Sequence, residues 1–189
     1  EHVSGCILLN AAGKFRDPQE AEEKKGEEPN PVVQSISAVI QRFVIACSFV
    51  ITKQPLRIEQ ILKQVYPING DNVDSELVES IRTPALDPTA AEVFYRVIAK
   101  NGKGPQAYVD DILKELHCPV LLAWGESDPW IQSAAADRME RLHAEFHGLS
   151  SDNDSENVGD RWIRRTSIDA GHCPHDEDPE AVNEAILDF

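Results

Sequence analysis

Positive charge is scarce beside negative charge in this chain. It holds 18 Lys and Arg against 33 Asp and Glu, for a net charge of −15 and a sequence pI near 4.7. Non-specific nucleic-acid binding depends on basic side chains that neutralise phosphates, so this balance argues against it and no nucleic-acid partner is expected. An acidic surface of this kind serves solubility. Cysteine is sparse as well. Cys6, Cys47, Cys118 and Cys173 form no C-x-x-C spacing, so a zinc or dithiol site has no support. The first three lie in or beside apolar runs, which fits free thiols in a reducing compartment. No signal or transit peptide is legible in the first residues, and nothing specifies a cofactor.

What is present is ordinary for a soluble globular protein. The chain has 189 residues, 41% hydrophobic and 27% charged, enough to bury a core as one domain. Glu1 to Asn10 reads as the end of one element followed by a strand. The chain is therefore expected to open mid-fold, with its native N-terminus upstream, and Phe189 falls inside a helical pattern.

Gly5 to Ala12 is a short apolar run of the kind that forms a buried strand. Arg16 to Asn30 is charged and punctuated by Pro and Gly, a solvated loop. Pro31 to Thr52 is the longest apolar segment, with Val32, Val33, Ile36, Val39, Ile40, Phe43, Val44, Cys47, Val50 and Ile51 at helical spacing. Gln41 and Arg42 in its middle argue for an amphipathic helix, or two in series, over a membrane span. Ile45 and Phe49 fall on its weaker face, where they would meet a lipid-like substrate or a membrane surface.

Four further helices are expected: Leu56 to Val65, a helix through Leu77 to Ile81 capped by Asn72 or Asp74, Pro88 to Lys100 capped by Asp87, and Tyr108 to Leu116. The pattern then changes. Val120 to Trp124 is an apolar strand, Ala134 to Phe146 a helix, and Trp162 to Ile168 a strand. Asp169 to Pro179 is a polar loop and Pro179 to Phe189 the last helix. The polar stretch His147 to Asp160 reads as a disordered surface insertion.

Strands alternating with helices imply a parallel α/β sheet. The helical block of about 85 residues is far longer than the dozen or so that a parallel crossover needs. It reads as an inserted cap. The expected organisation is a core strand in residues 1–15, a linker and helical cap in 16–116, and a second core segment in 117–189.

In parallel α/β sheets, reactive groups sit beyond the C-terminal ends of strands. Two such loops stand out, one holding Asp128 and the other His172. Alone, Asp128 before Pro129 reads equally as a turn former, and His172 as a structural residue of a polar loop. Together they follow apolar strands with the acid first, the order in which an acid and a histidine follow a nucleophile on such a sheet. His172 would move the proton between nucleophile and leaving group. Asp128 would accept a hydrogen bond from the other imidazole nitrogen and fix its tautomer.

The nucleophile is missing. No G-x-S-x-G string occurs, and neither Ser127 nor Ser167 has the sharp turn that motif supplies. As given, the chain cannot complete a triad. His172 and His175 stand at H-x-x-H spacing, but Pro174 between them and the lack of a preceding helix argue against zinc. His175 and its acidic neighbours read as supporting groups and caps. His2, His117, His143 and His147 have no partner pattern.

These residues resemble the α/β-hydrolase superfamily. Gly5 to Ala12 is similar to the strand after the nucleophile helix, Leu121 to Trp130 to the acid strand and loop, and Ala170 to Glu177 with Pro179 and Glu180 to the histidine loop. A narrower resemblance, to hydrolases of the pheophytinase and chlorophyll dephytylase type, is carried by Leu9 to Phe15, Lys53 to Ile58, Asp71 to Val78, Glu92 to Tyr95 and the Cys-Pro-His at 173–175. The resemblance implies the C-terminal part of an α/β-hydrolase fold with Asp128 and His172 as acid and base. It further implies hydrolysis of a large apolar ester, such as the phytyl ester of a chlorophyll-type pigment, in a plastid. The alternatives are a haloalkane dehalogenase or epoxide hydrolase with an Asp nucleophile, or a non-catalytic binding protein on the same fold. Retention of both Asp128 and His172 argues against the last.

Overall fold

The computed structural model describes residues 3–17, 31–99, 107–148 and 162–189. The loop expected at 16–30 lies outside these from residue 18 onward, and the insertion expected at 147–160 lies outside from residue 149. The chain divides into two compact units. The first comprises 1–16, 63–72 and 107–189, and the second 17–62 and 73–106.

The first unit is built on a parallel sheet of three strands in the order β1 (Cys6–Leu9), β2 (Val120–Gly125), β3 (Ile163–Ile168). Cys6 pairs with Val120 and Val120 with Ile163, and the register continues in step to Leu9–Ala123 and Gly125–Ile168. Every residue of β2 is buried, as expected of a central parallel strand covered on both faces. Its side chains alternate between two cores. Val120, Leu122 and Trp124 pack with Val109 and Leu113 of α5 (Val109–Glu115) and Ala136 and Met139 of α6 (Ala134–His147). Ala123 faces the other way, with Ile168, Ala170 and Val182 of α8 (Pro179–Leu187). A fully buried Leu or Met contributes about 1.5–3 kcal/mol relative to exposure, so the middle strand anchors the loops that leave its end.

The helix α6 runs one residue further than its sequence pattern suggests. It ends at His147 because Gly148 adopts a left-handed conformation, φ 66°, and its N–H closes on Ala144. The loop expected between Asp169 and Pro179 contains a short helix, α7 (Pro174–Glu177).

The second unit is helical. It contains α1 (Pro31–Thr52), α3 (Ser75–Arg82), α4 (Ala90–Ala99) and most of α2 (Pro55–Val65), which continues into the first unit. Asp74 caps α3 by accepting the Leu77 N–H at 2.8 Å. Asp87 instead accepts the N–H of Thr89, and α4 begins at Ala90, two residues later than Pro88 suggests. One unbroken helix, not two in series, covers Pro31–Thr52.

The faces of α1 are the reverse of the sequence expectation. Ile45 and Phe49 are buried, at 7% and 8% exposure, while Val39 and Phe43 are each 70% exposed and Ile36, Ile40, Val44, Val50, Ile51 and Cys47 are exposed too. The cause is packing against α4. Phe49 meets Phe94 with ring centroids 5.2 Å apart, Arg42 donates to Glu92 at 2.6 Å, and its guanidinium lies 4.5 Å from the Tyr95 ring centre. The Arg42–Glu92 pair is exposed and flanks the docked face, whose buried residues are Ile45 and Phe49. By length and composition, 35–52 could still cross a membrane, with mean hydropathy 1.7.

Candidate active site

Asp128 sits in the turn that leaves β2. Its N–H donates to Gly125 O at 3.2 Å, and its Oδ1 accepts the N–H groups of Trp130 at 2.7 Å and Ile131 at 3.0 Å. This is the turn-forming role that an Asp before Pro suggests. It occupies one carboxylate oxygen only. The other, Oδ2, lies 2.8 Å from His172 Nδ1. Each carboxylate oxygen thus has its own partners, the turn N–H groups on Oδ1 and the imidazole on Oδ2.

The Asp128 side chain has no exposure, whereas His172 keeps 27%. Burial pushes the carboxyl up. Hydrogen bonds from His172, the Ile131 and Trp130 N–H groups and Asn10 outweigh it, so the group lies below its ordinary 3.8. An ionised, fully buried carboxylate is thus held against a partly exposed imidazole. His172 Nε2 makes no hydrogen bond among the described residues. Trp130, over half exposed, sets its ring 4.8 Å from the imidazole at an interplanar angle of 59°.

The loop carrying His172 is held from three sides. Ala170 O accepts the Ser127 N–H at 3.0 Å, and the His172 N–H donates to Val65 O at 2.9 Å. Gly171 is wedged so tightly that a Cβ there would lie 2.3 Å from Val65 O and from Pro67 Cδ. Gly125 has the same reason to be glycine, since a Cβ would come within 2.0 Å of Gly171 O. These glycines answer to close backbone approach.

Two supports were not singled out from sequence. Asn10, at the end of β1, is buried and donates through Nδ2 to Asp128 Oδ2 at 2.6 Å and to Gly171 O at 3.0 Å. Its Oδ1 accepts the Gly125 N–H at 2.7 Å. Glu177, grouped with helix caps by its sequence position, is instead 2% exposed. It accepts the Gly171 N–H on Oε2 and the Ile68 and Asn69 N–H groups on Oε1. Asn10 ends an apolar run and Glu177 sits in the acidic stretch 176–180, and neither position reveals its partners. The cap of α8 is Asp178, accepting from Ala181.

His175 is exposed on α7. Ser127 is exposed after β2, and the Ser167 hydroxyl donates to Glu126 at 2.6 Å. His143 is fully buried in α6, with neither ring nitrogen hydrogen-bonded among the described residues, and its ring centre lies 4.5 Å from that of His147. His117 lies beside His147, with ring centres 6.2 Å apart.

No protein-family model matches the chain. A curated relative, the chloroplastic pheophytinase of Arabidopsis thaliana, is 31% identical over 134 residues, covering 68% of the chain and 23% of the relative. Among solved structures, a thermophilic esterase from Thermogutta terrifontis superposes with a TM-score of 0.52 at 19% identity, over 97% of the chain and 54% of the esterase. A bromoperoxidase from Bacillus anthracis gives 0.54 at 12% identity, over 97% of the chain and 56% of that protein. The chain thus spans under a quarter of the curated relative and just over half of each solved structure. With its parallel sheet, the acid loop after one strand and the histidine loop after the next, the chain belongs to the α/β-hydrolase superfamily.

Proposed function

We propose that this chain supplies the acid and the histidine, Asp128 and His172, of a serine carboxylic-ester hydrolase whose nucleophile comes from a segment outside it. The observation that carries the reading is the pair itself. A buried, ionised carboxylate is locked by two backbone N–H groups on one oxygen and meets the imidazole with the other at 2.8 Å. With Nδ1–H donated to Asp128, Nε2 is the basic nitrogen. It takes the proton of the attacking hydroxyl and returns it to the leaving alcohol, while Asp128 stabilises the imidazolium formed between these steps.

The substrate in this reading is a large apolar ester, and the phytyl ester of a chlorophyll-type pigment is the leading candidate. The likeness to pheophytinase supports it, as does an apolar face of α1 formed by Val39, Phe43, Val50 and Ile51. That face is the one we assign to peripheral contact with a lipid-rich surface. A plastid location rests on the chloroplastic relative. The reaction takes ester and water and calls for no cofactor.

The test is turnover by the full-length protein on p-nitrophenyl esters and on chlorophyll a and pheophytin a, beside His172→Ala. Ester cleavage that His172→Ala abolishes, with release of phytol, supports the assignment. An unchanged rate in His172→Ala removes the histidine from the chemistry. Halide release or epoxide opening in place of ester cleavage would point to an Asp nucleophile on the same fold.

A further inference from the structure

Asn10 meets two demands that few side chains satisfy together. Its backbone lies in the left-handed region, φ 39°, which Asn enters more readily than other residues bearing a side chain and which glycine enters freely. Its amide is used at both ends, since Oδ1 accepts from the last residue of β2 and Nδ2 donates to the acid and to the histidine loop. Glycine suits the backbone and offers no amide. An ionised Asp suits the backbone and offers acceptors only, which would face Asp128 Oδ2 and Gly171 O.

Asp128 Oδ2 thus receives two donors, His172 Nδ1 at 2.8 Å and Asn10 Nδ2 at 2.6 Å. We infer that Asn10 is a positioning residue for the acid, an inference that rests on the reading of Asp128 and His172 as acid and base. It aims Oδ2 at the imidazole, stabilises the carboxylate without adding charge, and ties the strand end, acid loop and histidine loop into one unit. When the imidazole becomes charged and neutral in turn, the carboxylate has no free rotation by which to follow it.

The first measurement uses the unmodified full-length protein and needs no turnover. The Nδ2 protons of Asn10, followed by 1H–15N NMR across a pH titration, should move in step with the His172 imidazole signals, because both groups share Oδ2. Amide signals that ignore that titration overturn the inference.

The second measurement is kinetic. Asn10→Gly keeps the backbone conformation and deletes the amide. It should lower kcat about tenfold or more while KM stays within about twofold, as for loss of a hydrogen bond to a charged group. Asn10→Asp places a second carboxylate against Oδ2 and should move the acid limb of kcat/KM upward by on the order of one pH unit. A role confined to stability would lower Tm in both variants and leave kcat and the pH profile in place, which rejects the inference. If the unmodified protein cleaves no ester, the hydrolase reading fails by itself. The NMR titration then still supports or overturns the role of Asn10.

Discussion

Glu177 accepts the backbone N–H of Gly171, the residue before His172, and with its second oxygen the N–H groups of Ile68 at 2.7 Å and Asn69 at 2.8 Å. One buried carboxylate therefore joins the histidine loop to the 68–69 turn. The Asn69 side chain returns a hydrogen bond to Glu177 O at 2.9 Å, and Tyr66 and Asn72 bond to Asp176 next to it. Glu177→Gln keeps the shape but turns one acceptor into a donor facing backbone N–H groups. The expected cost is about 2 kcal/mol, that of a charged hydrogen bond lost with a buried donor left unpaired. Urea unfolding of the variant checks it, and an unchanged midpoint would count against the clamp.

Asp128→Asn separates the turn-forming role of the carboxylate from its proposed role as catalytic acid. The retained oxygen can keep the Trp130 and Ile131 N–H groups, so the fold should survive with little change in circular dichroism. The new amide cannot accept from Nδ1–H, so the imidazole loses the partner that selects its tautomer. In the full-length protein kcat should drop by about 10³–10⁴, the scale of a wrong-tautomer substitution in a triad. A variant retaining more than a tenth of the activity would remove Asp128 as the acid.

Much of this site was legible because its parts are local. Val120 to Trp124 is apolar at every position, a pattern that marks a central parallel strand, and the loops after it and after Ile168 carry Asp128 and His172 in order. What stayed hidden depends on partners far away in sequence. Asn10 and Asp128 are 118 residues apart, and Ile68 and Glu177 are 109 apart, so no window along the chain shows either pair. The docked face of α1 was misjudged for another reason. Apolar residues occur around most of its circumference, so periodicity does not choose a face, and the packing of Phe49 on the distant Phe94 does.

Gly125→Ala tests how closely the acid and histidine loops must approach. The added methyl would sit 2.0 Å from Gly171 O and 2.7 Å from Ala170 O, both backbone atoms that cannot swing aside. The histidine loop must move as a whole, carrying His172 from Asp128. Stability should fall by roughly 1–3 kcal/mol, the range for overpacking. Activity should fall further than stability, because a displacement of about 1 Å can cost some hundredfold in rate. Thermal melts and kcat measured on one preparation separate the two effects, and a melt shift with full activity would show that the loops tolerate the gap.

His143 should make the fold acid-sensitive independently of the site. Burial, then the nearby His147, lowers its pKa from 6.5 to about 4, and neither ring nitrogen has a hydrogen-bond partner among the described residues. In the unfolded chain the same imidazole protonates at its ordinary 6.5. Above that value both states are neutral and nothing is lost. As pH falls from 6.5 toward 4 the unfolded state takes up a proton that the folded state refuses, and stability drops by up to about 1.4 kcal/mol per pH unit. The loss over the whole window is on the order of 3 kcal/mol and levels off below the folded value. Urea midpoints measured between pH 7.5 and 4.5 should show this decline, and His143→Leu, which keeps the apolar contacts without a titrating group, should flatten it. A slope equally steep in the Leu variant would assign the acid sensitivity to other groups.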